Sequence, residues 1–128
     1  AISLLSGRPL IYPRREVKEY GTKATIEGGF EPGEVAVLID DLTTSGGSKF
    51  EVADKLTLAG MEVRDVVVLI NRQSGAGEAL KAAGLQLHSV FTLRQLIDHW
   101  RVAGRIDGTL LARVDKFLAS IKIAPSNS

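Results

Sequence analysis

Cysteine is absent from the chain, so it can build neither a disulfide framework nor a thiolate metal site, and a reducing cytoplasm suits it. Charge of one sign is not in excess: 16 Lys and Arg against 15 Asp and Glu leave a formal +1, which makes no electrostatic case for nucleic acid. No apolar run approaches the roughly 18 residues that a membrane span needs, and no basic-then-apolar signal opens the chain. A soluble cytoplasmic protein with no membrane partner is therefore expected. The commoner phosphate loops are missing too. There is no Gly-x-x-x-x-Gly-Lys-Ser/Thr, and SGAGEAL, from Ser74 to Leu80, lacks the third glycine of a dinucleotide fingerprint. These absences disfavour nucleoside triphosphate hydrolysis and NAD binding.

What is present is one stretch around which the rest is arranged, VAVLIDDLTTSGGS. Val35, Val37, Leu38 and Ile39 read as a parallel strand buried on both faces, because strands covered on both sides lose polar alternation. Asp40 and Asp41 arrive as that strand ends; adjacent carboxylates repel and need a reason to be together. Leu42, Thr43, Thr44, Ser45, Gly46, Gly47 and Ser48 follow, a hydroxyl- and glycine-rich loop able to aim several N–H groups at one anion. A helix then begins, and its N-terminal partial charge, roughly half an elementary charge, adds to the same cradle. Strand, acid pair, loop and helix describe a site for a phosphorylated sugar.

The remaining chain supplies the setting. With 45% hydrophobic residues in 128, and no internal repeat or linker, residues 1–128 are expected to form a single domain with a real core. AISLLSG reads as the end of a helix closed by Gly7, which predicts that the natural protein continues upstream. RPLIYP, residues 8–13, reads as a short strand lying beside the central one. Residues 14–34 are charged and glycine-rich, with a possible ribbon over 22–26 and a turn over 31–33; they read as a mobile lid loop. Helices are expected over 48–59, 78–83, 93–103 and 108–121, the third opened by a Thr92/Gln95 capping box and the last capped by Asp107. Strands are expected over 63–70 and 85–91. This alternation predicts an α/β fold, a parallel sheet flanked by helices, with ligands at the carboxyl ends of the strands. His88 reads as a half-buried packing residue, Trp100 as packing for the terminal helix, and His99 has no assigned role.

LIDDLTTSGGS resembles the diphosphosugar-binding signature of type I phosphoribosyltransferases, and RREVKEYGTK and VVLINRQSG are similar to the flanking segments of the orotate phosphoribosyltransferases, including the transferase half of UMP synthases. The resemblance covers residues 8–100. It implies a type I phosphoribosyltransferase-like core lacking the family's N-terminal hood and first strand, and so a fragment not expected to be active by itself. It implies that Asp40 and Asp41 hold the ribose hydroxyls of phosphoribosyl diphosphate (PRPP) and that the loop ending at Ser48 wraps its 5-phosphate. Arg14, Arg15, Lys18 and Tyr20 would close over the diphosphate, and Thr44 and Arg72 would face orotate. Arg15 and Tyr20 stand where bacterial members carry lysine and histidine; the arginine keeps the charge with a different donor geometry.

The expected activity is transfer of a 5-phosphoribosyl group from PRPP to orotate, giving orotidine 5′-phosphate and diphosphate in UMP synthesis, with Lys18, Asp40 and Asp41 as catalytic residues. Mg2+ held mainly by the substrate is the implied cofactor, and a homodimer the implied assembly. The chemistry is consistent with this on its own terms. Positive charge builds on the ribose and negative charge on the leaving group, so anions belong near the first and cations near the second. Two other readings stay open: a phosphoribosyltransferase for another base, and a non-catalytic nucleotide- or phosphosugar-binding module on the same fold.

Overall fold

Apolar β-branched runs alternating with amphipathic stretches fold as that pattern dictates. The computed structural model of the chain describes residues 1–14 and 26–123. In chain order the elements are α1 (Ile2–Ser6), β1 (Tyr12–Pro13), β2 (Ile26–Glu27), β3 (Val35–Thr43), α2 (Gly47–Leu58), β4 (Glu62–Asn71), α3 (Ala76–Ala82), β5 (Gln86–Thr92), α4 (Leu93–Val102) and α5 (Gly108–Ile123). Strands β3, β4 and β5 form a three-stranded sheet in that order, linked by α2 and α3. The Glu62 N–H donates to the Glu34 carbonyl (2.9 Å) and the Arg72 N–H to the Thr43 carbonyl (3.2 Å), so β3 and β4 run the same way. Strands β4 and β5 are parallel as well, from Asp65 opposite Gln86 to Asn71 opposite Thr92. No described helix is long and apolar enough to cross a membrane.

Two compact units can be distinguished, the first formed by Ala1–Leu38 with Gly47–Arg64, the second by Ile39–Gly46 with the chain from Asp65 onward. In the first, Ala36, Leu56 and Met61 form a buried cluster against which Ile11, Ile26, Phe30, Val52 and Val63 pack. The segment expected beside the central strand goes elsewhere: Tyr12 and Pro13 pair antiparallel with Glu27 and Ile26 in a separate two-stranded sheet. Proline explains the short pairing, since Pro9 and Pro13 have no N–H to donate to a ladder. Gly28 fixes the return of the chain. Its φ is 108°, and a Cβ there would lie 2.6 Å from the Leu10 carbonyl oxygen and 2.8 Å from Ile11 Cγ2. Residues 26–34, the second half of the expected lid, are thus built into β2, the Phe30 contact and a turn closed by the Glu34 N–H on the Glu31 carbonyl (3.2 Å). Residues 15–25 lie outside the described chain.

In the second unit Val66, Val68, Ala76 and Leu80 are all at 0% exposure, and Leu85 and Ile97 are buried as well. Helix α4 opens with the expected capping box: Thr92 Oγ1 accepts from the Gln95 N–H (3.2 Å) and Gln95 Oε1 accepts from the Thr92 N–H (2.8 Å). Asp107 caps α5 through the Leu110 N–H at 2.7 Å. Arg94 joins the two helices, 3.4 Å from Asp98 and 2.5 Å from Asp115.

Two features of β3 differ from expectation. Ala36 and Leu38 are buried, but Val35, Val37 and Ile39 are 50–55% exposed, so the described residues cover one face of the strand only and its alternation is real. The strand also runs on to Thr43, which places Asp40 and Asp41 inside it rather than after it. Thr43 ends it almost completely buried at 1% exposure, with Oγ1 lacking any hydrogen-bond partner among the described residues.

Three outcomes are expected. Gly28→Ala should lower the urea-derived unfolding free energy by more than about 1 kcal/mol, because both its φ and its clearance exclude a Cβ, whereas Gly29→Ala, with nothing within 4 Å, should not. Thr43→Val removes an unsatisfied hydroxyl at nearly constant volume and should leave stability to urea equal or higher, since a buried orphan hydroxyl costs about 1–3 kcal/mol. The Tyr12 phenol donates to the Glu27 carboxylate, a hydrogen bond that, with the repulsion between carboxylate and phenolate, raises its pKa. The stabilisation from this contact is present at neutral pH and is lost as pH rises through the folded-state value. In a Tyr20→Phe background, absorbance titration should place Tyr12 above an ordinary tyrosine, and Glu27→Gln should bring it back.

Candidate active site at the carboxyl edge of the sheet

Parallel pairing brings the carboxyl ends of β3, β4 and β5 to one edge, all within the second unit. The Thr43 carbonyl meets the Arg72 N–H and Asn71 lies opposite Thr92, so the turn leaving each strand starts beside the next. Asp40 and Asp41 stand near the end of β3 and are exposed. Neighbouring residues of a strand face opposite sides, and here the first carboxylate turns back along the chain: Asp40 Oδ1 accepts from the Asp41 N–H at 2.8 Å. Both carboxylates reach solvent from the end of a rigid strand, which suits recognition of a polyhydroxylated ring.

After them Leu42 is 37% exposed and Thr43 turns its side chain inward, so any contribution of Thr43 to a ligand runs through its backbone. Thr44, Ser45 and Gly46 form the bend, Thr44 and Ser45 exposed, and Gly46 buried at φ 90°. A left-handed residue at that point reorients the following amide, and only glycine does so without strain. Helix α2 starts at the next residue and has no acidic residue in its first turn, leaving the N-terminal partial charge uncancelled for an anion.

Helix α2 also carries a residue that the sequence reading passed over. Lys49, Ala53 and Leu56 form its buried stripe. Lys49 is 6% exposed, and its Nζ donates to Ser48 Oγ at 3.2 Å. The signal was available as a lysine standing four residues before Ala53 and seven before Leu56, in register with an apolar face.

On β4 the chain leaves through Asn71, Arg72 and Gln73. Gln73 adopts φ 59°, the one non-glycine residue with positive φ among those described, and its N–H donates to Asn71 Oδ1 at 2.8 Å. This local turn holds Arg72 at the sheet edge, half-buried, with its guanidinium in no ion pair to a described residue. A cavity of about 320 Å³ opens beside it, lined by Arg72, Gln73, Ser74, Arg94, Asp115, Leu118 and Ala119. The two arginines are not equivalent there. The hydrogen bond and charge of Asp115, with Asp98, raise the Arg94 pKa and balance its charge, so Arg72 is the cation left to meet a ligand.

Other sequence candidates fall elsewhere. Arg14 lies in the first unit with its guanidinium ion-paired to Glu27 and its side chain 69% exposed. Arg15, Lys18 and Tyr20 lie outside the described residues. His88 is paired with Asp65 at 2.7 Å on the sheet, side chain 45% exposed, and His99 is exposed on α4. Trp100 remains 44% exposed. No group of three or more histidine, aspartate or glutamate side chains among the described residues is placed to hold a metal ion.

No protein-family model matches the chain. Individual proteins do. The bifunctional enzyme PyrF/PyrE of Nostoc sp. is 46% identical over 99 residues, 77% of this chain and 21% of that protein. Among solved structures, Leishmania donovani UMP synthase aligns with a TM-score of 0.82 at 41% identity, covering 93% of this chain and 26% of that one. A Mycobacterium tuberculosis orotate phosphoribosyltransferase in complex with PRPP aligns with a TM-score of 0.53 at 34% identity, covering 56% of this chain and 44% of that one. The chain spans from 21% to 58% of the length of the curated relatives it matches. With its parallel sheet flanked by helices, and with these identities over most of its length, the chain belongs to the orotate phosphoribosyltransferase family.

Proposed function

We propose that the chain carries the diphosphosugar-binding and base-facing core of an orotate phosphoribosyltransferase, which transfers the 5-phosphoribosyl group of PRPP to orotate and releases diphosphate. The observation that supports this reading is the acid pair Asp40 and Asp41 with the Gly46 bend at the end of β3, at the same sheet edge as Arg72, whose guanidinium pairs with no described acid.

Each part of the substrate has a chemical counterpart. Asp40 and Asp41 accept from the ribose hydroxyls and place negative charge near a ring that becomes cationic as its anomeric C–O bond breaks. Thr44, Ser45, Gly46, Gly47 and Ser48 present hydroxyls and amides to the 5-phosphate. Arg72, with Thr44, receives the anionic base. Arg14, Arg15, Lys18 and Tyr20 neutralise the departing diphosphate, for which Arg14 exchanges Glu27 for substrate oxygens. Mg2+ fits the donor set as a substrate-borne ion: two carboxylates cannot fill the roughly six oxygen positions it prefers, and the diphosphosugar supplies the rest. When bound, the ion offsets charge on the leaving group. The proposed assembly is a homodimer, and the proposed compartment of the reaction is the cytoplasm.

Calorimetric titration of the full chain with PRPP and Mg2+ tests the assignment. Joint replacement Asp40→Asn and Asp41→Asn should weaken binding by about tenfold or more, on the order of 1.4 kcal/mol or above. Affinity equal to that of the unsubstituted chain would remove the carboxylates from the site.

A further inference from the structure

Among the described residues Lys49 is a buried charged side chain. It occupies the inward face of α2 with Ala53 and Leu56, and a stripe at that spacing normally takes apolar residues. Putting an ammonium there is costly unless oxygen atoms receive its protons. One of those oxygens is Ser48 Oγ, 3.2 Å from Nζ. Both residues lie in the first unit, on adjacent positions of the first turn of α2.

The direction of this hydrogen bond has a chemical consequence. An ammonium has three donors and no acceptor, so the serine oxygen must be the acceptor. The hydroxyl proton is then left for another partner. Ser48 is exposed while Lys49 is 6% exposed, so the charge is inside and the donor is outside. Donation from a cation also polarises the hydroxyl and strengthens its own donation.

We propose that Lys49 is a positioning residue for phosphate recognition: through Ser48 Oγ it fixes the serine hydroxyl as an outward donor and favours a phosphate monoester over an uncharged sugar. This rests on the reading of the loop ending at Ser48 as the 5-phosphate cradle, and it assigns that cradle a buried cation in addition to its amides and helix terminus.

Calorimetry on the full chain with ribose 5-phosphate as the probe, and ribose as the uncharged control, tests it. Lys49→Met should weaken ribose 5-phosphate about tenfold, as expected for loss of a charge-assisted hydrogen bond, with no loss of melting temperature. Lys49→Arg, which keeps a donor, should recover part of the affinity. Ser48→Ala should weaken binding to a similar degree, and adding Lys49→Met to it should cost much less than Lys49→Met alone, because the lysine acts through the serine. Full additivity of the two substitutions, or unchanged affinity in Lys49→Met while the unsubstituted chain binds ribose 5-phosphate, would overturn the proposal. If the unsubstituted chain binds no ribose 5-phosphate, the phosphate reading of the loop falls, and the role of Lys49 falls with it.

Discussion

The hydrogen bond from the Arg72 N–H to the Thr43 carbonyl is the contact on which the site depends, because it closes the parallel pairing of β3 and β4 at their carboxyl ends. Parallel strands joined by helices deliver every exit turn to one edge. The acid pair comes from the strand on one side of that bond and the cationic turn from the strand on the other. Had β4 run antiparallel, Arg72 would lie at the opposite end of a strand of 10 residues, roughly 30 Å away at about 3.3 Å per residue.

Around that bond the polar groups are sorted by how far their charges are already satisfied. Arg94 is compensated by Asp98 and Asp115 and serves to tie α4 to α5. Arg72, a turn away from β4, pairs with no described acid. Asp40 and Asp41 are exposed, with the Asp41 N–H bonded to Asp40 Oδ1. An acid pair at the end of one strand and an arginine at the end of the next is the arrangement expected where a ligand carries both a ring that turns cationic and several anionic groups.

Much of this was readable without coordinates, for reasons visible in particular residues. The periodicity of 63–70 and 85–91 marked β4 and β5 to within a residue or two, and the Thr92/Gln95 box and Asp107 opened α4 and α5 as their local chemistry requires. The reading of Leu10–Tyr12 as a neighbour of the central strand failed because strand partners are chosen by what else competes for the same edge, and β2 supplied a nearer one. The apparent burial of β3 on both faces failed for a related reason: a run of valine and isoleucine states what a strand can tolerate, whereas exposure depends on which elements cover it.

The sequence by itself determined the order of elements, the acid pair with its hydroxyl-glycine loop, and the family, because these depend on residues close together in the chain: turn chemistry, capping and local periodicity. Tertiary structure alone decided that Arg72 sits beside the end of β3 and that Thr43 turns inward with its hydroxyl unmet by any described residue. Such facts come from pairing and packing between segments distant in the chain, where burial, and not residue type, fixes what a polar group must do.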